Sequence, residues 1–290
     1  SIEARMLLAG LYANTKQPHR AINEYQEILE LEPKNERALI WLASLYTTQE
    51  RYAEARAILQ RLLSKDPDNA MALYYLARME IELKLYTDAE KNYLKALAIL
   101  PGFEMALVDL GYLYEIQNRH SDAEGIYRRI LNFDQGNRRV RTRLGNLYLR
   151  QDNYHGALAE FQKMLDKEEE AGEIRTKIGL IYLELEEYNQ AISTFEGILA
   201  VYPKNPKLHF YLGVAYEEKG ELERALAEFD AIPVGGPYGV RARIHRAFIQ
   251  EKTGDKEGAV ATLRGVVSLY PQEEDGYLYL GSMYEMLERY

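Results

Sequence analysis

The sequence predicts an all-α fold, a solenoid of stacked helix pairs, on three periodic observations. Pro33, Pro67, Pro101, Pro203, Pro237 and Pro271 are separated by 34 residues or a multiple of 34, with Gln135 and Glu169 at the two missing steps. Ala21, Ala55, Ala89, Ala123, Ala157, Ala191, Ala225 and Ala259 hold a second register of the same period. With alanine at about a tenth of the chain, chance gives such a series about once in 10^8. Tyrosine recurs at Tyr12, Tyr46, Tyr114, Tyr148, Tyr182, Tyr216 and Tyr284, with Glu80 and Gln250 as the exceptions. Three places before each stands Ala or Gly.

Numbering each repeat 1 to 34 from Ile2 divides the chain into repeats at 2–35, 36–69, 70–103, 104–137, 138–171, 172–205, 206–239 and 240–273, with a partial ninth at 274–290. This reads as a single solenoid over 1–290. Positions 4, 7, 8 and 11 follow the i, i+3, i+4, i+7 rule and form one apolar stripe on a first helix, A. The A-to-B turn falls near position 15, where Gly220 and Gly254 supply the left-handed backbone a helix stop favours. Positions 20, 24 and 27 form the stripe of a second helix, B. Small residues at 8 and 20 let the helices approach closely, and the aromatic side chains fill the space around them. Proline at position 32 cannot continue helix B. Asn35, Asn69, Asn137 and Asn205 then stand as N-caps for the next helix A. One helix pair cannot bury its own face, so neighbours must stack.

This pattern resembles the tetratricopeptide repeat (TPR) family, whose 34-residue signature is W-x2-L-G-x2-Y, A-x3-F and P. Leu110, Gly111, Tyr114, Ala123 and Tyr127 match one copy, and Leu212, Gly213, Tyr216, Ala225, Phe229 and Pro237 another. The resemblance covers essentially the whole chain. It implies a right-handed superhelix with helix A lining the concave side.

Composition narrows the function. The 45 acidic and 36 basic side chains leave a net charge of −9, which disfavours a nucleic-acid surface. No apolar run approaches the ~18 residues of a membrane-spanning helix. Cysteine is absent, which excludes disulfides, thiolate nucleophiles and Cys-ligated metal. His19, His120, His155, His209 and His245 form no HExxH or i, i+4 pair. Nothing indicates catalysis or a cofactor, so none is expected. The glycines between Val234 and Gly239 fall at a B-to-A connection, not between a strand and a phosphate-binding helix.

The informative surface lies about 130° from the core stripe, at positions 2, 5, 9 and 12 of helix A with position 6 adjoining. Repeats two to four place Ile40, Trp41, Met71, Tyr74, Tyr75, Ile81, Met105, Val108 and Tyr112 there. Repeats five and six place Arg139, Thr142, Arg143, Asn146, Thr176 and Lys177, and repeats seven to nine place Phe210, Tyr211, Val214, Ile244, Phe248, Leu278 and Tyr279. A non-core face this aromatic reads either as a binding groove or as packing against the next helix A, and the sequence leaves both open. Arg37, Arg139, Lys207 and Arg241 at position 2, and Glu115, Glu217, Glu251 and Glu285 at position 12, oppose the helix dipole. Such stripes orient a bound peptide or pair between repeats. The carboxylate clamp of some family members fits poorly: Thr142, Asn146, Lys177, Lys207 and Tyr211 hold its five positions, three of them altered.

The resulting expectation is a non-enzymatic scaffold for a peptide or protein partner. Its binding candidates are Arg37, Trp41, Met71, Tyr74, Tyr75, Arg78, Met105, Tyr112, Arg139, Arg143, Asn146, Lys177, Phe210 and Phe248, and homo-oligomerisation stays open. The alternative is a targeting module of a larger enzyme such as a glycosyltransferase carrying such repeats. An RNA-reading repeat is disfavoured by the 34-residue spacing and the charge. Ser1 and the end at Tyr290, inside repeat nine, suggest a fragment of a longer protein. Pro233, Arg246 and Gln250 break the pattern and predict an irregular joint between repeats seven and eight.

Overall fold

The computed structural model describes residues 1–165, 171–236, 238–272 and 274–287. Glu169, Pro237 and Tyr290 lie outside the described residues. Among the described residues there are seventeen helices and no strand. In order they are α1 (Ile2–Asn14), α2 (Pro18–Leu31), α3 (Glu36–Thr48), α4 (Tyr52–Lys65), α5 (Ala70–Glu82), α6 (Tyr86–Ile99), α7 (Glu104–Ile116), α8 (His120–Phe133) and α9 (Arg138–Leu149). Then follow α10 (Tyr154–Gln162), α11 (Ala171–Glu184), α12 (Tyr188–Leu199), α13 (Pro206–Lys219), α14 (Leu222–Asp230), α15 (Gly239–Lys252), α16 (Lys256–Leu269) and α17 (Glu274–Met286). Odd-numbered helices are helix A of a repeat and even-numbered ones helix B. The chain forms two compact units, Ser1–Leu147 and Tyr148–Tyr290.

In the first unit α1 packs on α2, α3 on α4, α5 on α6 and α7 on α8, and α2, α4 and α6 also pack on the following helix A. In the second unit α11 and α12, α13 and α14, and α15 and α16 pair in the same way. Four asparagines start helices by the expected cap: the Asn35, Asn69, Asn137 and Asn205 side chains accept from the amides of Ala38, Ala72, Val140 and Leu208. Helices α2, α4, α6 and α16 each end two residues before a proline. Proline cannot join the ladder, and it pushes the residue before it out of helical geometry.

Every A-to-B turn uses one backbone solution. Position 15 is left-handed in all eight repeats: φ is 54° to 59° at Lys16, Glu50, Lys84, Asn118, Asp152 and Glu186, 87° at Gly220 and 90° at Gly254. The following amide donates back to the position 11 carbonyl, as in Arg51 to Tyr46 and Glu221 to Tyr216, both at 2.8 Å. This is a Schellman stop, and the hydrogen bonds satisfy carbonyls the helix would otherwise leave open.

The position 20 alanines are all fully buried, as are most residues at positions 24 and 27. Helix A buries a wider arc than the predicted stripe. Position 3 is buried at Ala38, Ala72, Ala106, Val140, Ile174, Leu208 and Ala242, and position 10 at Met79, Leu113, Leu147, Ile181, Ala215, Ile249 and Met283. Position 4, expected in the core, is Leu39, Leu73 and Leu107 in repeats two to four but the half-buried His209 and Arg243 further on. A helix that touches its own helix B and both neighbouring repeats has almost no free side, so one amphipathic stripe understates its burial.

Position 11 ties successive repeats together. Gln26 donates to the Tyr46 hydroxyl at 3.2 Å, and the Tyr216 hydroxyl donates to Glu196 at 2.5 Å. Gln162 and Arg264 hold Tyr182 and Tyr284 from the same place on the preceding helix B. Where the tyrosine is missing, the replacement bonds within its own repeat instead: Asn92 donates to Glu80 at 2.8 Å, and Thr262 donates to Gln250 at 2.7 Å.

Candidate functional site

The candidate site in the first unit is built on α3, α5 and α7. Trp41 is 43% exposed, Met105 46% and Tyr112 45%, while Met71 is half-buried. Tyr75 and Tyr74 are buried, at 5% and 4%. Their fates differ by one position on the helix. Tyr75 turns an edge toward Trp41, ring centroids 6.0 Å apart. Tyr74 packs within its own repeat, 5.1 Å from the Phe103 ring and 6.0 Å from Tyr93 of α6, and its hydroxyl reaches the next repeat, donating to Asp109 at 2.9 Å. Burial, then the Asp109 carboxylate, raises the pKa of that hydroxyl well above the usual phenol range, so it stays a donor. For Tyr74 the structure therefore supplies the packing alternative that the sequence left open.

Arg78 is exposed but engaged. Its guanidinium lies 3.6 Å from Asp109 and within cation–π reach of Tyr74 and Tyr75, at 5.7 and 5.9 Å. Asp109 is the residue sequence reasoning missed. It joins α7 to α5 through both Tyr74 and Arg78, and its only signal was an acid placed one repeat beyond a cation. Arg143 is half-buried, 3.6 Å from Glu115 and over the Tyr112 ring at 5.7 Å. Arg37 and Arg139 are exposed and make no ion pair among the described residues. Asn146 is half-buried.

Between α3 and α5 lies a cleft of 300 Å³ floored by Tyr75 and walled by Ser44, Thr47, Thr48, Glu50, Arg78 and Glu82 among others. It exists because position 9 carries the small Ser44 on α3 against the large Tyr75 and Arg78 on α5.

In the second unit Lys177 is half-buried, its ammonium 5.4 Å from the Phe161 ring. Phe210 is 1% exposed, among Phe229, Tyr238 and His245, with the Arg241 guanidinium 4.5 Å above it. Phe248 is half-buried against Tyr279 at 4.7 Å. The position 12 acids Glu115 and Glu217 lie against Arg143 and His245, position 6 of the next repeat and each 28 residues on, not against the position 2 cations. Arg246 finds a carboxylate, pairing through one terminal nitrogen with Asp230, while its Nε stays buried without a hydrogen-bond partner.

No group of metal-ligating side chains occurs among the described residues, and none of their helices is long and apolar enough to cross a membrane.

No curated protein matches the sequence. Among solved structures, the C-terminal part of a TPR repeat-containing protein from Cytophaga hutchinsonii is similar at 17% identity and a TM-score of 0.66, covering 82% of this chain and 98% of that one. The Naa15/Naa10 assembly bound to HypK-THB contains a chain similar at 18% identity and a TM-score of 0.60, over 86% of this chain and 39% of that one. At these identities the likeness shows the fold. Tetratricopeptide repeat family models match residues 15–79, 48–91, 142–188, 176–240 and 241–273. With the period, the Schellman turns and the helix pairing, these matches show that the chain belongs to the tetratricopeptide repeat family.

Proposed function

We propose that this chain is a non-catalytic scaffold that holds a peptide or protein partner on the helix A surface of repeats two to four. The observation that carries the reading is that Trp41 on α3 and Met105 and Tyr112 on α7 stay close to half exposed, on the A helices either side of α5. Large, stiff aromatic side chains left uncovered bring much contact area at little entropy cost. Tyr74 and Tyr75 support this platform from below, and Met71 and Met105 adapt to an irregular ligand. Arg37 on α3 and Arg139 on α9 are exposed cations available to an acidic group of the partner. The fold supports the scaffold class, since tetratricopeptide repeats are generally non-catalytic, and the net charge of −9 favours a protein over a nucleic acid.

The test is Trp41→Ala with Tyr112→Ala, measured on peptides selected against the parent chain by display. Both side chains are half exposed, so the helical circular dichroism should hold. Affinity is expected to fall by roughly 2 kcal/mol or more, about thirtyfold. Unchanged affinity in a folded double variant would place the site elsewhere, with the Phe248 surface next in line.

A further inference from the structure

We infer that the cleft between α3 and α5 is a specificity pocket for a basic side chain, Arg or Lys, of the partner segment. This deepens the scaffold reading and rests on it.

The cleft has the size for one side chain, at 300 Å³, and its lining residue Tyr75 stands 6.0 Å from the ring of the exposed Trp41. Its charges are unequal in commitment. Arg78 already lies against Asp109 at 3.6 Å and against two tyrosine rings. The exposed carboxylates of Glu50, in the turn after α3, and of Glu82, one turn beyond Arg78 on α5, make no ion pair or hydrogen bond among the described residues, and neither does the Ser44 hydroxyl. The charge left unanswered in the cleft is therefore negative. The Tyr75 ring forms the floor, and an aromatic surface beside carboxylates suits a cation with an apolar stem. The whole chain points the same way: 45 acids against 36 bases attract a basic segment and steer its approach. An acidic side chain in the cleft would meet two uncommitted carboxylates, so the pocket also rejects the opposite charge.

The experiment is peptide-display selection against the 290-residue chain, run in parallel on the Glu50→Gln, Glu82→Gln double variant. Trp41 is the only tryptophan and stands 6.0 Å from Tyr75, so its fluorescence reports occupancy of the cleft mouth. Selected peptides are expected to share one Arg or Lys position and to change the Trp41 emission. In the double variant that position should lose its bias while the rest of the motif survives. The parent's best peptide should bind the double variant about tenfold more weakly, and its binding should weaken with added salt. Peptides that bind and are lost on Trp41→Ala with Tyr112→Ala, yet show no basic preference or keep it in the double variant, overturn the pocket and leave the scaffold surface standing. Selected peptides indifferent to Trp41→Ala with Tyr112→Ala, or no selected peptide at all, overturn both.

Discussion

Position 8 shows how a single hydrogen sets the spacing of a helix pair. A Cβ built on Gly213 would stand 2.6 Å from Cε1 of Phe229, and one on Gly179 2.6 Å from Cε1 of Phe195. Gly213→Ala is expected to cost about 1–3 kcal/mol as overpacking, read from urea denaturation. Adding Phe229→Leu should recover part of it, since repeats two and eight carry the pairs Ala43 with Leu59 and Ala247 with Leu263. A fully neutral Gly213→Ala would mean the ring moves freely. Glu80 is a different residue-scale case. It is 8% exposed, and burial raises its pKa above 4.5; Asp88 adds to the rise, while the Asn92 bond and Arg56 oppose it. A raised carboxylate pKa favours the protonated form in the folded state. The benefit is full below pH 4.5 and is lost as pH rises through the folded value. Glu80→Gln retains an acceptor for Asn92 and removes the ionisation. The variant should match the parent at pH 4 and exceed its stability at pH 7; lower stability at pH 7 would contradict the account.

The A-to-B turn is the element that repeats most faithfully, and it is strained where the residue is long. Asn118 and Asp152 tolerate the left-handed backbone, and Gly220 and Gly254 adopt it freely. Lys84 and Glu186 have no such licence, yet each sits at φ 58°. Lys84→Gly is expected to stabilise the chain by about 0.5–1 kcal/mol, the relieved strain less the unfolded-state entropy glycine adds. Chemical denaturation checks this, and a loss of stability would show that the Lys84 stem contributes more than its backbone costs. The joint between repeats seven and eight is also an element effect. Helix α14 stops at Asp230, and Pro233 follows in the connection. Ile232 still reaches the core at 2% exposure, and the Tyr270 hydroxyl donates to the Val234 carbonyl at 2.5 Å. The irregular backbone is thus pinned from both sides.

For the molecule as a whole, neighbour-only packing sets how far a disturbance travels. In the second unit α13 contacts α12, α14 and α11, and α14 contacts α15. A solenoid's stability is approximately a sum of repeat and nearest-neighbour interface contributions. Gly213→Ala should therefore speed amide exchange most in α13 and α14, less in α12 and α15, and hardly in α16. In the parent, the amides of residues 234–236 should exchange rapidly while those of Val240–Ile249 stay slow, because only the latter lie in a buried helix. Hydrogen-exchange mass spectrometry reads both patterns. A uniform rise over α11 to α16 would mean the unit opens as one body.

The amino-acid sequence by itself determined the repeat, its register, the turn at position 15, the asparagine caps and the all-α class. These are local matters, in which spacing alone puts a proline, a cap or a small residue where the backbone needs it. The choice between core and surface on helix A was not local. Tyr74 and Tyr75 are neighbours in sequence and similar in chemistry, but only the first meets Phe103 at the end of its repeat and Asp109 of the next. Phe210 is buried while Trp41 is not, although both stand on the same predicted face. The cleft beside Ser44 arises from a small residue in one repeat opposite large ones in the next. Such outcomes depend on the volume and charge of side chains about 30 residues away, and only tertiary packing brings those together.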